Sequence, residues 1–279
     1  MSPPAIRFDL LTLFPGLFEG FLSESILGRA IAGGLVEVGL WDIRQWAEGR
    51  HKQVDDRPFG GGPGMVLMAP PVVAAVEAVR AKGEDPGRLI ALTPQGRRLD
   101  QALVRDLAGS SRLVLLCGRY EGFDERILDV LEPELVSIGD YVLSGGEVPA
   151  MVLVDAVMRL IPGVLGDAES ALDESFGPET GLEYPHYTRP REYRDRAVPE
   201  VLLNGDHAAI DRWRREQGRI RTAERRGDLV VPTATGPKTP KRAKPTGQPQ
   251  ADARPETDDR TPQSPPEEPG HAGAPGRTE

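Results

Sequence analysis

Ser137-Ile138-Gly139-Asp140-Tyr141-Val142-Leu143-Ser144-Gly145-Gly146-Glu147 ends an apolar run that starts at Glu134 and leads into a helical pattern over Pro149–Leu160. Two earlier stretches have the same form. Arg88–Thr93 runs into Thr93-Pro94-Gln95-Gly96, with a helical pattern at Leu99–Ala108. Arg112–Cys117 runs into Gly118-Arg119-Tyr120-Glu121-Gly122, with a helical pattern at Asp124–Leu131. Short β-branched runs alternating with 3.6-residue periodicity predict a mostly parallel sheet covered by helices on both faces. In such a sheet, ligands bind outside the carboxyl ends of the strands. The glycines let backbone approach a ligand closely. Three such loops at one sheet edge predict a cleft lined by amides and carbonyls, suited to a flat, polar adenine and ribose. Three ordinary tight turns are the plainer alternative.

The α/β pattern extends outward from these loops. Ile6–Leu13 and Val36–Ile43 read as strands, Leu17–Ala32 as a helix, and Pro70–Lys82 as a helix opened by proline. Residues 1–165 thus form an α/β domain. Residues 166–182 carry Gly, Ser, Asp and Glu without periodicity and read as an interdomain linker. Residues 183–231 read as a small helical domain, clearest at Pro199–Leu203 and His207–Gln217. Residues 232–279 hold 11 prolines in 48 positions with few large apolar side chains. That composition predicts a disordered tail, because it cannot bury enough surface to offset ordering entropy.

Charge separates the same zones. The chain is −9 overall, which argues against a nucleic-acid partner until the distribution is counted. Residues 1–182 carry 16 Lys and Arg against 27 acids, residues 184–227 carry 11 Arg against 7 acids, and the tail carries 7 against 7. A surface for polyanions is therefore expected on the second lobe, where Arg189 and Arg215 are candidate phosphate contacts. The alternative is a solvated helix face whose arginines pair with Glu192, Asp195, Asp211 and Glu216. No run is apolar and long enough to span a bilayer. The lone cysteine, Cys117, allows no internal disulfide, and a cytoplasmic setting is expected.

Several chemistries lose support. Phe59-Gly60-Gly61-Gly62-Pro63-Gly64-Met65 lacks the Lys-Ser/Thr of a phosphate-binding P-loop, and Gly16, Gly20 and Gly28 are wrongly spaced for a dinucleotide fingerprint. Cys117 sits in a strand run without a histidine partner and reads as a buried hydrophobe, not a nucleophile. His51, His186, His207 and His271 do not form a zinc pattern. The stretch Asp55–Met65 is distinctive: four glycines and two prolines beside Asp55-Asp56-Arg57 could present amides, and Arg57 itself, to RNA. A β-hairpin with charged flanks is the plain alternative.

The motifs Asp55–Met65, Thr93–Arg97, Leu116–Gly122, Ser137–Glu147, Pro185–Pro190 and Val198–Leu203 with Gly205-Asp206-His207 together resemble the bacterial tRNA (guanine-N1)-methyltransferases. They run in order from about Phe8 to Leu229. The resemblance implies a knotted, SPOUT-type α/β fold with a trefoil, a homodimer, S-adenosylmethionine as methyl donor, and room for a loosely held Mg²⁺. It also implies tRNA as partner and the guanosine just 3′ of the anticodon as target. Methyl transfer to a weakly acidic ring nitrogen needs a proton acceptor and a cation for the charge left on the ring. By motif position these fall at Glu174 and Arg159, with neighbouring Asp173 the acceptor if the register slips by one. The resemblance points to Gly118, Ile138, Gly139, Asp140, Tyr141, Val142 and Leu143 for the donor, with Leu92, Pro94, Tyr120, Glu121, Gly145 and Gly146 nearby. Ile138, Val142 and Leu143 are expected to serve also as core strand residues. Asp55, Arg57, Pro58, Gly60, Arg189 and Arg215 are expected at the RNA. Longer family members continue with more helix after the point where this tail begins. A related knotted methyltransferase with another RNA target, or a catalytically silent RNA-binding factor, are the alternatives; retention of Arg159 and of both acids at 173–174 speaks against the silent form.

Overall fold

A computed structural model describes residues 4–166, 174–177 and 181–230. The expected tail at 232–279 and the candidate acid Asp173 lie outside the described residues.

Five parallel strands form the sheet: β1 (Ile6–Thr12), β2 (Val36–Asp42), then, after two short antiparallel strands β3 (Asp55–Asp56) and β4 (Val66–Leu67), β5 (Arg88–Arg98), β6 (Arg112–Cys117) and β7 (Glu134–Ser137). Their spatial order is β2-β1-β6-β5-β7. The central strands β1 and β6 are buried on both faces, which explains their nearly unbroken apolar sequence. Alternation still assigns each side chain a side. Phe8, Leu10, Leu113, Leu115 and Ile90 pack with α2 (Ser25–Ala32), α4 (Gln101–Ala108) and α6 (Glu147–Met158). Leu11, Val114, Leu116 and Ala91 pack with α3 (Ala69–Arg80) and α5 (Glu125–Leu131) on the opposite face. Full burial of each such large side chain contributes about 1.5–3 kcal/mol.

One carboxylate lies inside this apolar frame. Asp9, fully buried, accepts from Arg7 Nε, Trp41 Nε1 at 2.7 Å and Arg112 Nε at 2.8 Å. Burial pushes its acidity toward the neutral form, but these donors outweigh that and hold it below the usual carboxylate range. Arg112 also donates to the Val79 carbonyl at the end of α3, so one buried ion pair joins β1, β6 and α3.

The elements differ from the sequence expectations where local packing overrides periodicity. The helix expected over Leu17–Ala32 is broken into a 3-10 turn at Pro15–Phe18, α1 (Glu19–Ser23) and α2. Ser25 takes a left-handed φ of 58° at the break, and Gly28 lies so close to Ser23 that a Cβ there would stand 2.3 Å from its carbonyl oxygen. The strand expected over Glu134–Leu143 stops at Ser137. Thr93-Pro94-Gln95-Gly96 is not a terminal turn but a bulge within β5: both Leu92 and Arg97 pair with Val136 of β7. Pro199–Leu203 contains a single 3-10 turn, Glu200–Leu202.

The second lobe is more than helix. The strands β8 (Glu192–Tyr193) and β9 (Arg196–Ala197) form a hairpin before α7 (His207–Arg225), which extends eight residues beyond the Gln217 boundary read from the sequence. Asp206 caps α7 by accepting from the Ala209 amide at 3.0 Å. Its buried positions are the small residues Gly218 and Thr222. Thr222 Oγ1 accepts from the Leu182 amide at 2.8 Å, so the extended segment after Gly181 lies directly on the helix backbone. No helix among the described residues is long and apolar enough to cross a membrane.

Candidate active site

Register brings the three loops level. Leu92 of β5 pairs with Cys117 of β6 and with Val136 of β7. The chain therefore leaves the sheet at Gly118 and at Ile138 on either side of the β5 bulge. The Gly146 amide donates to the Gly118 carbonyl at 2.7 Å, and Arg119 bridges to Gly145. A Cβ on Gly146 would lie 2.7 Å from Cys117 Cα, so no larger residue fits without moving backbone. Gly118 is confined by the Phe123 ring and the Leu92 carbonyl.

The loop from Ile138 to Ser144 organises itself. Ser137 Oγ bonds both the amide and the carbonyl of Gly139, and the Tyr141 hydroxyl donates to the Ile138 carbonyl at 3.1 Å. This geometry presents Tyr141, Val142 and Leu143 outward. Val142 is 86% exposed, so it and Leu143 are not the core strand residues the sequence suggested; Ile138 alone of the three is half-buried. Asp140 and Pro94 are exposed at the rim.

The Asp55–Met65 stretch is the tip of the β3–β4 hairpin, as its plain reading had it: Asp55 pairs with Leu67 and Asp56 with Val66. Its placement is what gives it interest. The Glu121 amide donates to the Met65 carbonyl at 2.9 Å, and a Cβ on Gly64 would fall 2.2 Å from Glu121 Oε1. Burial and the neighbouring Asp55 carboxylate push the Tyr120 phenol up, and Tyr120 itself holds a left-handed φ of 60°. The candidate RNA loop and the candidate donor loop are thus in direct contact. Arg57 and Gly60 are exposed, and Phe59 at the tip is 99% exposed.

Arg159 and Glu174, fifteen positions apart, are brought together: Arg159 Nη2 donates to Glu174 Oε1, with each side chain about one-third exposed. That hydrogen bond raises the guanidinium further above its ordinary range against the opposing effect of burial. Glu174 does not sit in a free linker. Arg105 of α4 donates to the Phe176 carbonyl at 2.7 Å, the Phe176 amide donates to Gly181, and Arg226 stacks on the Phe176 ring. Beside Arg159 lies a concavity of about 370 Å³ lined by Phe21, Gln101, Met151, Val152 and Asp155. This pair stands at the far end of α6 from Gly146, and a 12-residue helix spans roughly 18 Å. Within one chain, then, the Arg159–Glu174 pair and the candidate donor loops are not adjacent.

The family described as tRNA (Guanine-1)-methyltransferase TrmD matches residues 6–232. The chain belongs to this methyltransferase family. It is 59% identical over 227 residues to the tRNA (guanine-N(1)-)-methyltransferase of Rhodopirellula baltica, covering 81% of this chain and 94% of that one. To the tRNA (guanine-N(1)-)-methyltransferase of Chloroflexus aurantiacus it is 56% identical over 229 residues, covering 82% and 90%. That of Anaeromyxobacter sp. (strain Fw109-5) is 56% identical over 227 residues, covering 81% and 90%.

The methyltransferase's basic lobe answers the charge question in part. Of the four acids considered as neutralising partners, Asp211 and Glu216 form contacts at 4.0 and 3.5 Å with Arg214 and Arg219, while Glu192 and Asp195 form no ion pair among the described residues. Arg189 and Arg215 are exposed and unpaired among the described residues. Arg214 also stacks on Tyr184, and Tyr187 packs at an angle against Trp213. Burial pushes the Cys117 thiol well above its ordinary range, and the nearby Glu147 charge adds to this, which fits an inert strand residue. No cluster of three or more His, Cys, Asp or Glu side chains spaced to hold a metal occurs among the described residues.

Thr12, Phe14, Arg119 and Glu147 were not among the site residues expected from the sequence, yet they form the floor beneath the loops. A glutamate at the start of a helix reads as a solvated, dipole-complementing residue. Here it is 1% exposed.

Proposed function

We propose that this chain transfers a methyl group from S-adenosylmethionine to N1 of the guanosine immediately 3′ of the anticodon in tRNA, in the cytoplasm and as a homodimer. The observation that carries the reading is the stitched set formed by the loops after β6 and β7 and the β5 bulge between them, where glycines stand at points with no room for a side chain. Main-chain groups of Leu92, Gly118 and Ile138–Leu143 suit the polar edges of adenine and ribose, and the outward faces of Tyr141, Val142 and Leu143 suit apolar contact. S-adenosylmethionine, bound there, supplies an electrophilic methyl group.

The remaining work falls to side chains. Glu174 accepts the proton of guanine N1, and Arg159 stands at the guanine oxygen to stabilise the charge left on the ring. Since α6 separates these residues from the donor loops of their own chain, the pair of one subunit serves the donor loops of its partner. The exposed Val148 and Val152, one turn apart on the face of α6 that also carries Asp155 and Arg159, support this, because apolar side chains left uncovered opposite a buried face are suited to a second helix. The trefoil reading finds support in the path after β7: from the sheet edge the chain returns past β5 to seat Gly146 on the end of β6, and α6 then packs against β1 and β6. The Arg-rich lobe grips phosphates, with Arg189 and Arg215 foremost, while the β3–β4 tip brings Asp55, Arg57, Pro58 and Gly60 to the RNA. The same reading admits a Mg²⁺ ion.

The test is transfer of labelled methyl to tRNA transcripts that carry either guanosine or another base after the anticodon. Labelling is expected only with guanosine; equal labelling of both would reject the target.

A further inference from the structure

Beneath the donor loops, one arginine ties the end of β1 to the loops that follow β6 and β7. Arg119 Nε lies 2.9 Å from Glu147 Oε2, and its Nη1 donates to the Ser144 carbonyl at 3.3 Å. Its guanidinium stacks on the Phe14 ring, 4.5 Å from the centroid. Glu147 Oε1 accepts from Thr12 Oγ1 at 2.6 Å, and Thr12 Oγ1 accepts from the Phe14 amide at 2.9 Å. The end of β1, the loop after β6 and the loop into α6 therefore converge on this side chain. A Cβ on Gly145 would stand 2.3 Å from Arg119 Nε, so the loop passes directly over the pair.

Such an arrangement is costly as pure scaffolding. Glu147 is buried, and the facing Nε and Oε2 atoms meet without hydrogen-bond alignment. A buried charge pair seldom stabilises more than a well-packed apolar pair would. What it supplies is a fixed position: charge holds Arg119 to α6, stacking holds its plane on Phe14, and Nη1 holds the Ser144 carbonyl. We propose that Arg119, clamped between Glu147 and Phe14, is a positioning residue that sets the spacing of the two methyl-donor loops. It touches neither donor nor guanine. The proposal rests on the donor site assigned above.

Lysine keeps the charge but lacks both the flat face for Phe14 and a second nitrogen placed to reach Ser144 while the first faces Glu147. Calorimetric titration of the purified full chain with S-adenosylmethionine, followed by kinetics with tRNA, provides the test. Arg119→Lys is expected to fold, to bind the donor on the order of tenfold more weakly, as loss of one charge-assisted bond implies, and to raise KM for the donor while KM for tRNA stays unchanged. Donor affinity equal to wild type in a folded Arg119→Lys protein overturns the proposal. If that variant does not fold, Phe14→Leu removes the stacking face at a partly exposed position without touching charge. Weaker donor binding by Phe14→Leu supports the clamp, and unchanged binding overturns it. Failure of the wild-type chain to bind S-adenosylmethionine would instead reject the donor site itself.

Discussion

The two ends of α6 are built on opposite principles. At its start, Gly145 and Gly146 lie against backbone and a buried charge pair, leaving no space for a methyl group. At its end, Arg159 and Glu174 meet as side chains about one-third exposed, one of them on a segment anchored by a few hydrogen bonds. The first end is suited to hold a ligand in one pose. The second is suited to part and re-form around a nucleobase. On the proposed reading the contrast divides the reaction, with donor binding at the rigid end and acceptor chemistry at the adjustable one.

The largest expected effect breaks the adjustable end alone. Glu174→Gln and Arg159→Ala should each lower turnover by roughly 10²–10⁴-fold while leaving donor affinity intact by calorimetry. Full activity of Glu174→Gln with loss in Asp173→Asn would move the acceptor by one residue.

Gly146→Ala breaks the rigid end instead. Its new methyl meets backbone, so overpacking should cost about 1–3 kcal/mol of stability and abolish tight donor binding. Thermal unfolding and donor titration measure the two effects. Combining the two classes tests the proposed sharing of each site between two subunits. Co-expressed Glu174→Gln and Gly146→Ala chains should regain activity, because one site of the mixed dimer combines intact donor loops with an intact Glu174. Mixed dimers as inactive as the parents would place both ends of the reaction in one chain.

The same contrast explains what the sequence could disclose. β1 and β6 were legible because period-2 burial on two faces leaves an apolar run, and α3 because a proline opens it. The glycine loops were legible as loops because glycine is the cheapest residue where backbone crosses backbone. Arg119, Thr12 and Glu147 were not legible: their pairing joins positions up to 135 apart, and each alone resembles a surface residue. The end of β7 was misjudged because Val142 and Leu143 have strand propensity yet stand on the rim of a loop. Glu174 was located only through likeness to a family, since nothing local distinguishes one linker acid from its neighbour.

Smaller effects are expected from the basic lobe, which belongs to neither end of α6. Arg189→Ala and Arg215→Ala should weaken tRNA binding with little change in donor affinity. Each should reduce the slope of log K against log salt by about 0.7 to 0.9 if the side chain neutralises one phosphate. An unchanged slope would make that residue part of a solvated face.

The smallest effect is expected from removing residues 232–279. The segment carries 7 basic and 7 acidic residues, so it brings no net charge to a polyanion. Counterion release, which dominates binding to a phosphate backbone, therefore gains little from it. The family match also ends at residue 232, so the donor loops, the Arg159–Glu174 pair and the basic lobe all precede the cut. Turnover and the salt slope of the shortened chain should stay within about twofold of the full chain, a change too small to signify a lost transition-state contact. A large fall in tRNA affinity with a shallower salt slope would instead assign the tail's seven basic residues to RNA, and would add a third contributor to a reaction divided here between the two ends of one helix.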